Sequence, residues 1–534
     1  MTTLVTIFVI SLVTCLVLTP AVRVLARRWG LVDHPDGRRK MHSAATPLGG
    51  GVAIFAAAVT GIIAALVASP LREMLLVNGV WLAGLLAACA VIAGAGLIDD
   101  YVHLRGRHKL AFQLVATMIV VNCGVQVQSV QFFDGRVDLG LLAVPFTICL
   151  LLGAINSLNL IDGMDGLLSC VGLIVSLAMA AMAAMAGHWA TACVAVALAG
   201  SLTGFLRYNF PPASIFMGDC GSMLVGLIVG TLAIQSSLKG PATVALSAPL
   251  ALLTLPIFDT LAAIVRRKLT GRSLYSTDRG HLHHCMMRRG LSTRRVLTWV
   301  SLLCLLTMVG ALGSVALHNE LVAIFSALTV VGILIATRLF GFAEFTLLRN
   351  YLAASADSLL HGHADLKPEL LEVHMQGSAD WGRLWRTLTA CAEEHDLTFI
   401  SLDVNAPAIQ ETYMARWNRG TSDADDFNLW RAQLPLVANG CTVGRLEIVG
   451  HREVESASSA IRQLARLVEN LESTIWSTAE RILTRAPAAV PLGAQELANL
   501  AENGDRTAHG GAPIIAPASI RTSTRSANLP KKPR

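Results

Sequence analysis

Charged residues are scarce in this chain: they make up 15% of its 534 residues, whereas 54% of the residues are hydrophobic. A soluble protein of this length carries far more charge on its surface, so the composition excludes an ordinary soluble protein. A membrane-spanning helix needs about 20 mostly apolar residues. With that window the sequence predicts eleven spans, centred on residues 3–22, 49–69, 79–98, 110–126, 138–155, 166–186, 188–205, 220–237, 243–264, 296–316 and 319–337.

Three further absences narrow the class of protein. The N-terminus has neither a basic stretch nor an Ala-x-Ala site, so the first apolar run is predicted to be a retained span rather than a signal peptide. The 11 cysteines are scattered and mostly lie inside predicted spans, which is typical of small buried side chains rather than of disulfide or zinc sites. No internal repeat is visible, which argues against a transporter built from duplicated halves.

Lysine and arginine collect in alternate loops between the predicted spans. The basic loops are Arg23 to Lys40, Arg105 to Lys109, the segment around Arg207, and Arg266 to Arg295, while the loops between them hold only Arg72, Arg136 and Lys239. Because Lys and Arg are enriched in cytoplasmic loops, this asymmetry predicts a cytoplasmic location for the first set. The N-terminus is then outside the cytoplasm, and the chain after Arg338 is inside it.

Five aspartates sit where predicted spans end, namely Asp99, Asp100, Asp162, Asp165 and Asp219. A carboxylate at the centre of a bilayer costs about 2.5–3.5 kcal/mol, so such residues usually have a function. The predicted orientation places all five on the cytoplasmic face, where they can converge into one acidic site. The alternatives are a solvated span end for the first pair, turn formation for the second, and helix N-capping for Asp219.

Basic and histidine residues share this face. Lys40 and His42 precede the glycine-rich turn Thr46–Gly51, whose glycines permit close approach of the backbone to a ligand. Topological anchoring is the alternative role for Lys40. The histidines His281, His283 and His284 close the longest cytoplasmic loop, and they lack the cysteines or second histidine pair of a zinc site.

Together these groups indicate a particular chemistry. Carboxylates with retained water are the ligands that Mg²⁺ prefers, and arginine and histidine side chains suit phosphate oxygens. The sequence therefore predicts a diphosphate substrate from the cytosol, with phosphoryl transfer driven by positioning and charge neutralisation. A site at the span ends indicates that the second substrate is a membrane lipid.

After residue 340 the composition changes, and the sequence predicts a small α+β cytoplasmic domain over 341–484. Its predicted elements are an amphipathic helix over 341–365, a helix over 380–396 with Trp381, Leu384, Trp385 and Leu388 on one face, strands Leu397–Val404, Trp430–Val437 and Thr442–Val449, and a helix over 453–484. The last helix either packs on the sheet or forms a dimerising coiled coil. Residues 485–534 have the composition of a disordered tail. The predicted fold is thus an all-α polytopic membrane domain over 1–340, followed by this domain and tail.

Five sequence blocks resemble the polyprenyl-phosphate N-acetylhexosamine-1-phosphate transferases, the family that holds WecA-type enzymes and the translocase MraY. The blocks are Lys40-Met-His42 with Pro47-Leu-Gly-Gly50, Gly96-Leu-Ile-Asp-Asp100, Asn156 to Leu167, Asn209 to Ser222, and His281-Leu-His-His284. They occur in the family's order over about residues 1–340. The resemblance implies an enzyme of the bacterial cytoplasmic membrane that joins a UDP-sugar to a polyprenyl phosphate, releases UMP, needs Mg²⁺ or Mn²⁺ in its place, and uses no nucleic acid.

The resemblance also implies a role for each candidate residue. Asp219 is implied as the principal Mg²⁺ ligand, and Asp99 and Asp100 as the pair at the lipid phosphate, with Asp99 as its base. Asp165 is implied near the metal and the diphosphate, together with His281, His283 and His284. Substrate contacts are implied for Lys40, His42, Lys109 (with Arg105 and Arg107), Asn159, Asp162, Asn209 and Phe216, the last as a stacking partner of uracil.

The run His-Leu-His-His is nearer to the WecA type, which implies UDP-GlcNAc as donor and a lipid-linked cell-envelope polysaccharide as the eventual product. Gly280 stands where many relatives have an acidic residue, so UDP-GalNAc and deoxy-amino sugars remain open. Residues 341–534 lie outside the resemblance, and regulation, homodimerisation and recruitment of a later glycosyltransferase are their alternative roles. The competing functions for the whole chain are a transporter or channel, and a membrane scaffold or regulator that acts through residues 341–484.

Overall fold

The structure is a computed structural model that describes residues 2–33, 45–68, 70–132, 135–236, 238–240, 243–244, 246–269, 280–361, 369–376, 381–394, 397–406, 411–419, 429–438 and 441–451. In these residues the helices are α1 (Thr2–Arg28), α2 (Gly50–Ala68), α3 (Arg72–Val77), α4 (Gly79–Val102), α5 (Gly106–Asn122), α6 (Ala143–Ile161), α7 (Leu167–Met185), α8 (Trp189–Asn209), α9 (Gly218–Gln235), α10 (Ser247–Leu252), α11 (Thr254–Leu269), α12 (Leu282–Arg288), α13 (Thr293–Ala316), α14 (Glu320–Ala336), α15 (Phe342–His361) and α16 (Trp381–Glu394).

Eight helices in the described residues are long and apolar enough to cross a membrane, namely α1, α2, α4, α6, α7, α8, α9 and α13. The predicted number of eleven is not supported by this criterion. Predicted spans 110–126 and 319–337 fall on α5 and α14, which have 17 residues each. Predicted span 243–264 is broken at Leu253 between α10 and α11, because Pro256 lacks an N–H and its ring would clash with the carbonyl of residue 252 in a continuous helix.

Helices α8 and α9 form the interior of the membrane unit. In each of them, 83% of the residues of the apolar stretch are buried. Small residues such as Ala192, Ala195 and Ala199 on α8 let the neighbouring helices approach closely, as is usual in membrane bundles. Helix α8 packs against α1 and α7, and α9 packs against α4 and α6. The N-terminus of α9, which carries Asp219, therefore lies among the ends of surrounding helices.

Short strands connect several of these helices, and the sequence pattern did not predict them. Strand β1 (Val32–Asp33) pairs with β2 (Thr46–Pro47). The strands β3 (Ser129–Phe132), β4 (Gly135–Asp138), β5 (Leu238–Gly240) and β6 (Thr243–Val244) form a sheet of order β4-β3-β6-β5. The β3–β6 pair is parallel, so it joins the loop after α5 to the loop after α9.

The C-terminal region contains α16 and a five-stranded antiparallel sheet of order β10-β11-β8-β9-β7. Its strands are β7 (Glu369–Gln376), β8 (Leu397–Ala406), β9 (Glu411–Asn418), β10 (Leu429–Ala438) and β11 (Cys441–His451). The predicted helix and three strands correspond to α16, β8, β10 and β11, and the sheet adds β7 and β9. Buried Trp381, Trp385 and Leu388 of α16 pack on the sheet in a hydrophobic cluster separate from that of the membrane helices.

Two predictions for this region have no structural test. The helix over 453–484 and the tail over 485–534 lie outside the described residues. The domain boundaries at 340/341 and 484/485 stay predictions. Helix α15 covers most of the helix predicted over 341–365, and it begins directly after the turn that follows α14.

Candidate active site

Two aspartates at the end of α4 meet the beginning of α9. Asp99 and Asp100 lie in the last turn of α4, and Asp219 lies in the first turn of α9. Asp100 accepts hydrogen bonds from the backbone N–H groups of Asp219 at 2.8 Å and Cys220 at 3.4 Å. A carboxylate is favourable there because the first N–H groups of a helix have no partner within the helix and carry partial positive charge. Asp100, rather than Asp219, is therefore the residue that caps α9.

Lys109 joins the two remaining carboxylates of this cluster. Its Nζ lies 2.9 Å from Asp99 Oδ2 and 2.8 Å from Asp219 Oδ2. Asp99 Oδ1 also accepts a hydrogen bond from Leu104 N at 2.6 Å, which fixes the turn between α4 and α5. Burial alone would lower the pKa of Lys109, but the carboxylates of Asp219 and Asp99 outweigh it and raise the pKa above its usual value. Lys109 is therefore charged at neutral pH.

Asn159, near the end of α6, orients Asp219 from the other side. Its Nδ2 donates to Asp219 Oδ1 at 2.5 Å and to Ser222 Oγ at 2.7 Å. The carboxylate of Asp219 is thus held by Asn159 through one oxygen and by Lys109 through the other. The structure brings Asn159 into the acidic cluster, while its direct contact with substrate stays a prediction.

The loop between α6 and α7 adds two more carboxylates. Desolvation, followed by the charges of three neighbouring carboxylates, raises the pKa of Asp162 to about 8; these neighbours are Asp219, Asp100 and Asp165. Asp162 therefore interacts electrostatically with three other carboxylates of the site. Asp165 Oδ2 accepts a hydrogen bond from Ala213 N at 2.9 Å, so Asp165 also ties this loop to the segment after α8.

Asn209, the last residue of α8, uses its buried amide to connect three segments. Its Oδ1 accepts from Gly166 N at 3.1 Å and from Ser169 Oγ at 2.8 Å, and its Nδ2 donates to the Ile215 carbonyl at 3.1 Å. These bonds occupy both ends of the amide. The structure thus gives Asn209 a positioning role, and its contact with a nucleotide stays a prediction.

The backbone of the glycine-rich turn Thr46–Gly51 forms hydrogen bonds with the segment before α9. Phe216 N donates to the Pro47 carbonyl at 2.8 Å, and Gly50 N and Gly51 N donate to the carbonyls of Phe216 and Met217 at 3.0 and 3.1 Å. The glycines therefore allow close approach to the segment before α9. The side chain of Phe216 is half-buried, and its stacking on uracil stays a prediction. Of the predicted basic contacts, Arg105 and Arg107 are exposed, and the predictions for Lys40 and His42 fall outside the described residues.

The predicted histidines form a second group, and it contains a residue that the sequence analysis missed. Asp259, buried on α11, accepts from Leu282 N at 2.8 Å, and its other carboxylate oxygen lies 2.9 Å from His281 Nδ1. A carboxylate on one ring nitrogen fixes the orientation of the imidazole and directs the other nitrogen away from it. A lone acid inside the apolar stretch 254–264 was the signal that could have identified Asp259.

His283 connects the histidines with the aspartate loop. Its buried ring lies over Gly163, where an added Cβ would come 2.5 Å from His283 Nε2, so this close approach requires glycine. Burial, followed by the charges of His284 and His281, lowers the pKa of His283 well below its usual value, so the ring is neutral. Within the described chain neither ring nitrogen of His283 has a hydrogen-bond partner. The ring of His284 lies beside it, with centroids 4.2 Å apart.

The donor set fits Mg²⁺ better than zinc. In the described part of the chain, no three His, Cys, Asp or Glu side chains converge as a metal-binding group. Zinc sites need such convergence, whereas Mg²⁺ usually takes one or two carboxylates and completes its coordination with water and substrate phosphates. Asp219, whose oxygens face Lys109 and Asn159 in a cluster of five carboxylates, can supply such a ligand. A basic side chain within this cluster can in turn bind a phosphate.

Comparison with known proteins places this geometry in context. Residues 82–237 match the family described as "Glycosyl transferase family 4". The chain is 33% identical over 289 residues to the "Probable undecaprenyl-phosphate N-acetylglucosaminyl 1-phosphate transferase" of Bacillus subtilis, which covers 54% of this chain and 78% of that protein. It is 33% identical over 325 residues to the "Decaprenyl-phosphate N-acetylglucosaminephosphotransferase" of Mycobacterium tuberculosis, covering 56% and 79%. The chain is 28% identical over 238 residues to the "Phospho-N-acetylmuramoyl-pentapeptide-transferase" of Clostridium botulinum, which covers 42% of this chain and 70% of that protein.

Proposed function

The chain belongs to glycosyl transferase family 4 and is a multi-pass membrane protein, and from this membership we propose that it transfers N-acetylglucosamine 1-phosphate from UDP-N-acetylglucosamine to a polyprenyl phosphate. The names of the two relatives at 33% identity specify N-acetylglucosamine, whereas the relative with the N-acetylmuramoyl-pentapeptide name is 28% identical. An oxygen of the lipid phosphate attacks the sugar-bearing phosphorus, a new P–O bond forms, and the bond to the leaving phosphate of UMP breaks. The product starts a lipid-linked polysaccharide.

The position of Lys109 between Asp99 and Asp219 is the observation that carries this proposal. Through a single ammonium group, Lys109 contacts both Asp219, the residue proposed for the metal, and Asp99, the residue proposed for the lipid phosphate. Such proximity is what transfer between two phosphates requires, because catalysis of phosphoryl transfer is largely positioning and charge neutralisation. Mg²⁺, held by Asp219, would supply a positive charge to the diphosphate of the donor.

In the acceptor half of the site, Lys109 binds the lipid phosphate and Asp99 positions Lys109. A phosphate monoester has its second pKa near 6 and is therefore largely ionised at neutral pH. Attack consequently needs no general base. The two oxygens of Asp99 are engaged by Leu104 N and Lys109 Nζ, which suits a positioning role.

In the donor half of the site, Asp162 and Phe216 contact the nucleotide, and the histidines contact the diphosphate and sugar. Asp259 orients His281 for this purpose through the 2.9 Å contact to Nδ1. Within this half, His283, neutral and over Gly163, connects the histidines to the loop that carries Asp162. UDP-sugars are cytosolic, so we place the whole site on the cytoplasmic face, in agreement with the basic loops around it.

Release of UMP by the purified protein in detergent tests the activity, with polyprenyl phosphate as acceptor and UDP-N-acetylglucosamine or UDP-N-acetylgalactosamine as donor. We expect Mg²⁺-dependent release with the first donor, and a loss of roughly 100-fold or more in Asp219→Asn, which keeps the size of the side chain. Asp138→Asn is the matched control, because Asp138 is exposed on β4. Absence of UMP release with every donor would refute the activity, and a normal rate in Asp219→Asn would refute the metal assignment.

A further inference from the structure

The junction between α14 and α15, residues 337–344, packs against the elements that hold the histidines. Phe340 lies edge-on to Phe258, with ring centroids 5.3 Å apart and an angle of 87° between the ring planes. Phe258 directly precedes Asp259, the carboxylate partner of His281. The end of α14 is therefore in contact with the residue next to the one that orients a predicted catalytic histidine.

Two arginines tie the same junction to the histidine segment, which we define as residues 280–289. Arg289 donates to the carbonyls of Thr337, at 3.3 Å, and Arg338. Arg266 of α11 forms an ion pair with Glu344 in the first turn of α15. Both partners of this pair are buried, with 4% of Arg266 and 9% of Glu344 exposed.

The guanidinium of Arg266 also touches the beginning of the histidine segment. It lies so close to Gly280 that a Cβ at that position would collide with it. Gly280 directly precedes His281, and Asp259 and Arg266 lie seven residues, about two helical turns, apart on α11. Helix α11 thus contacts His281 through Asp259 and Gly280 through Arg266. It contacts the junction through Phe258 and Arg266.

We propose that Glu344 is a positioning residue for the transfer reaction: through Arg266 it fixes Gly280 and the histidine segment, and thereby couples α15 to the active site. The inference rests on the proposed function. Loss of this carboxylate breaks a buried ion pair, which is strongly unfavourable, and it removes a group that holds the Arg266 guanidinium in place, so the guanidinium shifts. Because the guanidinium contacts Gly280, such a movement displaces the residue before His281. The first helix after the predicted transferase region then influences the rate of transfer.

Glu344→Gln tests this coupling, and Glu320→Gln is its matched control. Glu320 is also 9% exposed, but it lies at the start of α14, about 25 Å along the helix from the junction. We expect kcat to fall roughly tenfold in Glu344→Gln, with the KM for polyprenyl phosphate within about twofold of wild type. The acceptor residues Asp99 and Lys109 lie on α4 and α5, whereas the contacts of the junction described above are to α11 and the histidine segment. Glu344→Asp keeps the charge on a shorter side chain and should give an intermediate kcat.

The rate at which Cys285 reacts with a maleimide provides a measurement independent of activity. Cys285 lies in the histidine segment, where its Sγ contacts the Gly280 carbonyl at 3.4 Å and Arg288 at 2.9 Å. Burial raises the pKa of this thiol, so it reacts slowly while the segment is ordered. Peptide-resolved labelling should show faster modification of Cys285 in Glu344→Gln, whereas the buried span residues Cys89 and Cys304 keep their wild-type rates.

The outcomes separate the two proposals. Failure of the wild-type protein to release UMP refutes the proposed function, while the labelling of Cys285 still tests the coupling. The inference would be overturned by the following result. The wild-type protein turns over normally, and both kcat and the labelling rate of Cys285 in Glu344→Gln and Glu344→Asp equal those in Glu320→Gln. Slower turnover with selective labelling of Cys285 supports it.

Discussion

Replacement of Lys109 by methionine removes the charge that links the acidic cluster. Methionine retains much of the apolar side chain but lacks the ammonium group that lies 2.9 Å from Asp99 and 2.8 Å from Asp219. Two opposite unit charges about 3 Å apart attract each other by about 5–6 kcal/mol at an effective dielectric constant of about 20. Without the ammonium group, the negative charge of both carboxylates is no longer neutralised.

We expect Lys109→Met to bind Mg²⁺ more tightly and to turn over more slowly. The side chain of Lys109 is 19% exposed and that of Asp219 is 31% exposed, so water screens much of the attraction. If a quarter of it remains, about 1.4 kcal/mol, the affinity for Mg²⁺ rises roughly tenfold. The rate falls because the lipid phosphate loses its cation, and removal of one preorganised group typically costs about 100-fold to 1000-fold.

Calorimetric titration with Mg²⁺ in detergent measures the first effect, and UMP release at saturating Mg²⁺ measures the second. Lys268→Met is the matched control, because Lys268 is exposed in the last turn of α11. A Lys109→Met protein with unchanged or weaker Mg²⁺ affinity would refute the reasoning, since Lys109 would then not compete with the cation for Asp219. An unchanged rate would refute the assignment of Lys109 to the lipid phosphate.

Three further predictions address the residues around this cluster. Asp259→Asn should lower kcat roughly tenfold in the UMP assay, because His281 loses the charge that orients it, and an unchanged kcat would contradict this role. Asn209→Ala should lower the free energy of unfolding by about 1–3 kcal/mol, because it leaves buried polar groups unpaired; a loss of rate without a lower melting temperature would indicate a substrate contact instead. The raised pKa of Asp162, about 8, means that it ionises as the pH rises from about 7 to 9, so the Mg²⁺ concentration for half-maximal rate should fall more steeply over that range in wild type than in Asp162→Asn.

The convergence of the acidic residues could be predicted from sequence because two simple patterns determine it. Aspartates at span ends and basic residues in alternate loops place Asp99, Asp100 and Asp219 on one face, and the structure brings these three together. The individual contacts could not be predicted. That Asp100 caps α9 and that Lys109 reaches Asp219 depend on how α4, α5 and α9 pack, and neither hydropathy nor charge pattern contains that information.

The predicted number of eleven spans is not supported, and for the predicted span over 243–264 the reason is local. A hydropathy window averages over about 20 residues and does not register the break that Pro256 imposes between α10 and α11. Strand β9 was missed although three of its buried residues, Tyr413, Ala415 and Trp417, lie two positions apart and therefore on one face of the sheet. That period of two was the available signal, and Met414, which is apolar and buried between Tyr413 and Ala415, obscured it.

The contact between Lys109 and Asp99 has a consequence for the order in which the protein is made. Both residues belong to the hairpin of α4 and α5, whereas Asp219 is synthesised 110 residues after Lys109. At about 5–20 residues per second, this delay lasts roughly 6–20 s. During that time the hairpin already contains Lys109 as a cation for Asp99. Asp99, one of the two aspartates at the end of α4, therefore enters the membrane interface in a neutral ion pair. Lys109 then acquires its second partner when α9 is inserted, and the nascent chain needs no other cation for Asp99 while it waits.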